Sequence, residues 1–146
     1  MRVIIGQLFF LLTILISCKD KTIAEKLYNK CEERDTCTQQ VKEITDFQWD
    51  KVYIFSVEVS LEEIEKVLGA PYKQWQDVGD RIVFVDKGKI VYYEEYFPYP
   101  EQIEKRSTFF ELKQVPYIGQ YNTATFSVAK QENDKGEWYY VIRPIR

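Results

Sequence analysis

The stretch over residues 80–97, DRIVFVDKGKIVYYEEYF, decides the fold that we expect for this chain. Two runs of β-branched and aromatic residues flank Lys87-Gly88, which is the pattern of a β-hairpin. The glycine supplies the positive φ angle that a two-residue turn needs. Both faces of the hairpin are substantially apolar, so one face must meet the core and the other needs cover from another element.

The turn at Lys87-Gly88 also sets the expected register of the hairpin. The expected pairs are Val85 with Ile90, Val83 with Tyr92 and Arg81 with Glu94 on one face, and Phe84 with Val91 and Ile82 with Tyr93 on the other. Adjacent residues on a strand point to opposite faces. Glu94 and Glu95 therefore cannot act as a carboxylate pair on one substrate.

The segment that precedes the hairpin predicts a short helix over residues 60–68. Ser60 is placed as the N-cap and Glu63 completes a capping box. Gly69 is placed to end the helix, and Pro71 prevents its continuation. The apolar stripe comprises Leu61, Ile64, Val67 and Leu68. A helix this short depends on packing, so we expect the stripe to cover a sheet.

Further strands are predicted before and after this region. The strongest signal is the run from Phe47 to Phe55, and weaker ones are Thr38–Thr45, where a helix competes, Thr108–Lys113, Ala124–Gln131 and Glu137–Arg143. Aromatic residues, 16% of the chain, suit a pleated surface. The sequence predicts one α+β domain over residues 38–146, with an antiparallel sheet of about five or six strands, one short central helix and a docked N-terminal helix.

The N-terminus has the organisation of a secretory signal peptide over residues 1–17. Arg2 provides positive charge, and the apolar run that follows is shorter than the roughly 20 residues that span a bilayer. Leu15-Ile16-Ser17-Cys18 resembles the lipobox of bacterial lipoproteins. The resemblance implies cleavage before Cys18, a thioether-linked diacylglycerol on its sulfur, and an acyl chain such as palmitate on its amino group. An ordinary cleaved signal or an uncleaved anchor is the alternative.

The lipobox resemblance also implies a location. Stable anchoring takes at least two acyl chains, and a lipoprotein cysteine carries that many. An Asp after the cysteine retains enteric lipoproteins in the inner membrane, whereas this chain has Lys19 there, which favours the outer membrane. Lys19-Asp20 also partly resembles the surface-export signal of Bacteroidota lipoproteins. The run over residues 47–55 resembles a pattern in small bacterial lipoproteins without an assigned activity.

Residues 18–37 form the lipidated segment that joins the anchor to the domain. Thr22 and Glu25 match a capping box, and a helix is expected near residues 22–33. Its apolar stripe comprises Ile23, Leu27 and Cys31. Gly, Ser and Pro are absent between residues 19 and 37, so the segment is not a flexible tether.

Cys31 and Cys37 are the two cysteines that remain once Cys18 is assigned to lipid. Beyond the membrane the setting is oxidising, which favours a disulfide between them. Two reduced thiols are the alternative.

Composition excludes several functional classes. The chain has no histidine, which removes Ser-His-Asp and Cys-His catalysis and every histidine metal site. A net charge of −3 without a basic block argues against nucleic acid. We expect no enzymatic activity, no metal and no cofactor.

Aromatic residues are the candidates for a binding surface. Trp75 lies in a polar loop, and an aromatic cluster at the end of the hairpin, beside Pro98 and Pro100, supplies the candidates Tyr96 and Tyr99. The cluster comprises Tyr92, Tyr93, Tyr96, Phe97 and Tyr99. Exposed tyrosines are rigid, amphipathic and enriched at binding sites, although core packing competes for at least one face. The sequence predicts a lipid-anchored envelope protein that is a non-enzymatic binding or structural module with a protein or glycan partner. The alternative is a periplasmic inhibitor or immunity protein against a specific enzyme or toxin.

Overall fold

The computed structural model describes residues 21–32, 34–96 and 108–145. The fold is α+β, as predicted, with two helices and eight strands in the described part of the chain. The strands form two four-stranded sheets. The prediction of one sheet of five or six strands is therefore wrong. The predicted signal peptide, Cys18 and Tyr99 lie outside the described residues.

Each sheet combines strands from distant parts of the chain. Sheet I has the order β1-β7-β8-β5, with β1 Thr36–Gln40, β5 Thr108–Phe110, β7 Thr125–Glu132 and β8 Trp138–Ile145. Sheet II has the order β4-β3-β2-β6, with β2 Lys51–Phe55, β3 Asp80–Asp86, β4 Lys89–Tyr96 and β6 Tyr117–Gln120. Neighbouring strands are antiparallel except β5 and β8, which are parallel.

The main core joins both sheets to the first helix, α1 (Ile23–Cys31). Its buried members include Ile23, Leu27, Val52, Ile54, Ile82, Phe84, Phe110, Phe126, Val128, Tyr140 and Ile142. A second core lies on the other face of sheet II, beneath the second helix, α2 (Leu61–Leu68). Its buried members are Tyr53, Phe55, Ile64, Leu68, Tyr72, Val83 and Val85.

Burial on both faces explains why β3 lacks an alternating pattern. Every residue from Asp80 to Val85 is buried, because alternate side chains enter different cores. The predicted need for cover on both faces of the hairpin is confirmed for its β3 half. The cover for the second face is α2 and the loop that follows it.

Both helices begin where their capping residues predict, and α2 also ends where Gly69 predicts, whereas α1 ends at Cys31, two residues before its expected end. The Thr22 hydroxyl of α1 accepts a hydrogen bond from the Glu25 amide at 3.1 Å, and Ser60 of α2 accepts one from the Glu63 amide at 3.3 Å. Gly69 ends α2 in the left-handed region, with φ of +69°. These bonds satisfy backbone donors that have no partner inside a helix.

A disulfide ties α1 to sheet I. The Cys31 and Cys37 sulfur atoms are at bonding distance, and the Cα atoms are 5.8 Å apart. Cys31 is the last residue of α1, and Cys37 lies in β1. The predicted pairing is confirmed.

The remaining strands differ from their predictions mainly in length. Residues 38–45 hold the end of β1 and then a 3-10 turn over Val41–Glu43. The C-terminal hairpin forms as predicted, within two residues at each end. Sequence reasoning missed β6, which has only four residues and includes Gly119. At Gly119 a Cβ atom would lie 2.8 Å from the Ala124 Cβ, so the site accepts no larger residue without movement.

Candidate functional site

A β-bulge in the central hairpin determines which way the β4 side chains point. Val85 pairs with Ile90, as predicted from the turn, but Phe84 pairs with Tyr92 instead of Val91. β4 therefore has one extra residue at this point, and Val91 is exposed. The predicted register is correct next to the turn and wrong by one residue beyond it.

The shifted register changes the partners of the two adjacent glutamates. Glu94 pairs with Ile82, and Glu95 pairs with Arg81, which had been predicted to face Glu94. Glu94 meets α1 on the main-core side, whereas Glu95 meets Arg81 on the side of the second core. The prediction that these carboxylates point to opposite faces is confirmed.

Glu94 connects the start of α1 to sheet II. One carboxylate oxygen accepts a hydrogen bond from the Ile23 amide at 2.7 Å and another from the Tyr92 hydroxyl. The second oxygen accepts a hydrogen bond from the Tyr96 hydroxyl. Ile23 is the first residue of α1, so the carboxylate also lies at the positive end of the helix dipole. We call these four residues the Glu94 cluster.

The structure places Tyr96 at the core and not at an exposed surface. Its ring packs against Phe110, with the centroids 5.0 Å apart. Burial, together with the nearby Glu94 charge, raises the pKa of the Tyr96 hydroxyl well above its usual value. Tyr96 is therefore partly buried and not fully exposed, because its inward position on β4 and the Glu94 acceptor for its hydroxyl direct it toward the main core.

Arg81 organises the loop between α2 and β3. Its guanidinium is fully buried, with Nε 3.4 Å from a Glu95 carboxylate oxygen and Nη2 donating to the Gln76 carbonyl. The guanidinium carbon lies 5.7 Å from the centre of the Trp75 ring. Trp75 is consequently half-buried against the second core. Its side chain is less exposed than its position in a polar loop predicted.

A groove lies between the loop after α2 and the first half of β4. It encloses about 720 Å³ and is lined by Ala70, Pro71, Lys73, Gln74, Gly88, Lys89, Ile90, Val91, Tyr92 and Tyr93. We call it the β4 groove. Val91 and Tyr93 are 43% and 42% exposed, which marks them as the apolar surface of the groove.

Tyr93 is the exposed aromatic residue of β4 that sequence reasoning did not select. Its ring packs edge-on against Tyr72, with the centroids 6.1 Å apart. Tyr72 is itself buried, and burial together with the Glu95 charge raises the pKa of its hydroxyl to about 12. The signal available in the sequence was alternation, since Tyr93 must point away from Tyr92 and Tyr96.

The predicted surface residues do not come together. Trp75 packs on the second core and Tyr96 on the main core, so sheet II separates them. Within residues 21–32, 34–96 and 108–145, no group of three or more Cys, Asp or Glu side chains is arranged to hold a metal ion.

Comparison of the chain with protein-family models, with curated proteins and with solved structures finds no match. Neither of the two described helices is long and apolar enough to cross a bilayer.

Proposed function

We propose that this protein is an envelope lipoprotein, anchored through Cys18, whose folded domain is a non-enzymatic binding or structural module. The anchor rests on the lipobox resemblance of residues 15–18. The observation that carries the proposal further is the position of α1. This helix begins at Ile23, with only four residues between it and Cys18.

The short connection limits how far the domain can lie from the lipid. Residues 19–22 reach at most about 14 Å when fully extended. α1 is part of the main core, since Ile23, Leu27 and Cys31 are almost completely buried. The Glu94 cluster and the disulfide hold its two ends. The anchor would therefore be connected directly to the folded domain, without a long linker. We propose that the domain lies close to the surface of the outer membrane.

Membrane retention tests the anchor. We would express the full-length chain in a bacterium with lipoprotein-processing enzymes and wash its membranes with high salt and with carbonate. The wild-type protein is expected to stay in the membrane fraction, and Cys18→Ser is expected to appear in the aqueous fraction.

Ser17→Ala is the matched control, because alanine keeps a small residue before the cysteine and should leave retention unchanged. Equal retention of Cys18→Ser and wild type would contradict the proposal, as would a wild-type protein that washes off.

The second candidate function is an inhibitor or immunity protein against a specific enzyme or toxin. The β4 groove favours it, because exposed Val91 and Tyr93 beside a concave surface suit a protein partner. A stable partner would have to cover roughly 800 Å² of this protein. Loss of partner binding after Tyr93→Ser, with membrane retention unchanged, would support this role.

A further inference from the structure

We infer that the β4 groove binds an extended acidic peptide segment, which adds as a short strand to the edge of sheet II beside β4. This inference rests on the proposed function as a binding module and names the chemistry of its partner. Three observations carry it: the position of β4 in the sheet, the charge of the groove, and the spacing of its exposed apolar residues.

β4 is an edge strand in the described part of the chain. Sheet II ends at β4, which pairs with β3 on one side and with no other strand among residues 21–32, 34–96 and 108–145. An edge strand presents backbone N–H and C=O groups that can pair with an added strand. The bulge at Val91 bends this edge, which disfavours pairing with a long flat strand and limits the added segment to a few residues.

The groove carries positive charge on a chain that is acidic as a whole. Among the described residues that line the groove, Lys73 and Lys89 are the charged ones, and both are exposed. Neither lysine forms a salt bridge with another described residue. The chain as a whole has a net charge of −3, so the positive charge of the groove does not follow from an overall basic composition. Complementary charge selects an acidic partner over a neutral or basic one.

The exposed apolar residues have the spacing that a strand partner requires. Val91 and Tyr93 are two positions apart on β4, and both are exposed. Tyr93 is held in place by its edge-on contact with Tyr72, so little side-chain freedom is lost on binding. Ala70 and Pro71 form the facing wall. A peptide that alternates acidic and apolar residues would meet the lysines and the apolar residues together.

The test compares two pools of short peptides of defined composition. Both are acetylated, amidated octapeptides, in which Glu or Lys alternates with a random choice of Val, Ile, Thr, Tyr or Phe. Binding of each fluorescently labelled pool to the full-length protein in detergent micelles is followed by anisotropy. The Glu pool is expected to bind about tenfold or more tightly than the Lys pool and to weaken at high salt.

Two variants and one modified pool make the test specific. The double variant Lys73→Glu/Lys89→Glu is expected to lose the preference for the Glu pool. The double variant Lys113→Glu/Lys135→Glu makes the same change in net charge at exposed lysines outside the groove and should bind like wild type. A Glu pool with methylated backbone nitrogens should lose binding, because it cannot donate hydrogen bonds to an edge strand.

Three results would overturn the inference: no binding of the Glu pool, equal binding of the two pools, or unchanged binding by Lys73→Glu/Lys89→Glu. Each is separable from the anchor proposal. If the peptides do not bind but membrane retention still requires Cys18, only the inference about the β4 groove is contradicted. If the peptides bind but the protein washes off the membrane, only the proposal of a lipid anchor is contradicted.

Discussion

Glu94 is the residue on which the attachment of α1 to sheet II depends. Its carboxylate accepts hydrogen bonds from the Ile23 amide and from the hydroxyls of Tyr92 and Tyr96. The sequence alone predicts that the Glu94 and Glu95 side chains point to opposite faces of the sheet, because side-chain alternation depends only on neighbouring residues of the strand. It could not show that the residue meets a helix 71 positions earlier in the chain.

Replacing Glu94 by leucine should destabilise the fold, because three partly buried donors lose their acceptor. A buried donor without a partner costs roughly 1–3 kcal/mol, so we expect the free energy of unfolding to fall by about 3 kcal/mol. Urea denaturation measures this change.

Glu62→Leu is the matched control, since Glu62 is an exposed residue of α2. Exposed substitutions usually change stability by about 0.5 kcal/mol or less. A Glu94→Leu protein as stable as the control would show that the Glu94 cluster does not hold α1.

At the scale of elements, the two helices were predictable and the register of the central hairpin was not. Thr22, Ser60 and Gly69 act through local hydrogen bonds and backbone angles, which short motifs report directly. The bulge at Val91 leaves no such motif, because the central residues of β3, Ile82–Val85, are apolar on both faces and accept either register. The short strand β6 was hidden for a related reason: its signal comes from pairing with β2 and not from its own residues.

Deletion of Val91 should leave the fold intact. Val91 is the extra residue between two native pairs, so removing it keeps Ile90 opposite Val85 and Tyr92 opposite Phe84. We expect only a small change in the free energy of unfolding, because the paired residues on both sides of the bulge keep their partners. Urea denaturation and hydrogen exchange of β4 amides would check this.

Deletion of Tyr93 is the comparison, since it removes a paired residue from the same strand. The strand must then either reverse the faces of Glu94 and Glu95 or turn Tyr92 away from the main core. We expect a clearly larger loss of stability than for the Val91 deletion. Equal losses would show that the bulge does not set the register.

At the scale of the whole molecule, the sequence predicted α+β and several strands but not their division into two sheets. The reason lies in sheet II, where α2 and the loop around Arg81 bury a face that would otherwise meet water. The residue pattern of a strand predicts that one face of the sheet is apolar, but it does not predict which element covers that face. The candidate surface was misplaced for the same reason: Tyr96 and Tyr93 are equally aromatic, and only the packing around them distinguishes core from groove.

Stability should decrease at alkaline pH. The pKa of Tyr72 is raised from 10.0 to about 12 by burial, and that of Tyr96 is also raised. Between pH 10 and about pH 12, the Tyr72 hydroxyl of the unfolded chain releases its proton, whereas that of the folded chain keeps it. Unfolding therefore becomes easier as pH rises above about 10. The stability that this difference in pKa contributes is fully present below about pH 10.

Thermal unfolding across the alkaline range measures this effect. Tyr72→Phe should make the decline with pH shallower, whereas Tyr121→Phe, at an exposed position, should leave it unchanged. An identical decline in wild type and Tyr72→Phe would contradict the assignment of this pH dependence to Tyr72.

The central claim is that lipid on Cys18 attaches this domain to a membrane, and the intact mass of the protein extracted from bacterial membranes tests it most directly. The account predicts a chain that starts at residue 18 and carries a diacylglycerol group with at least one further acyl chain. A mass equal to that of an unmodified polypeptide, with or without residues 1–17, would contradict it.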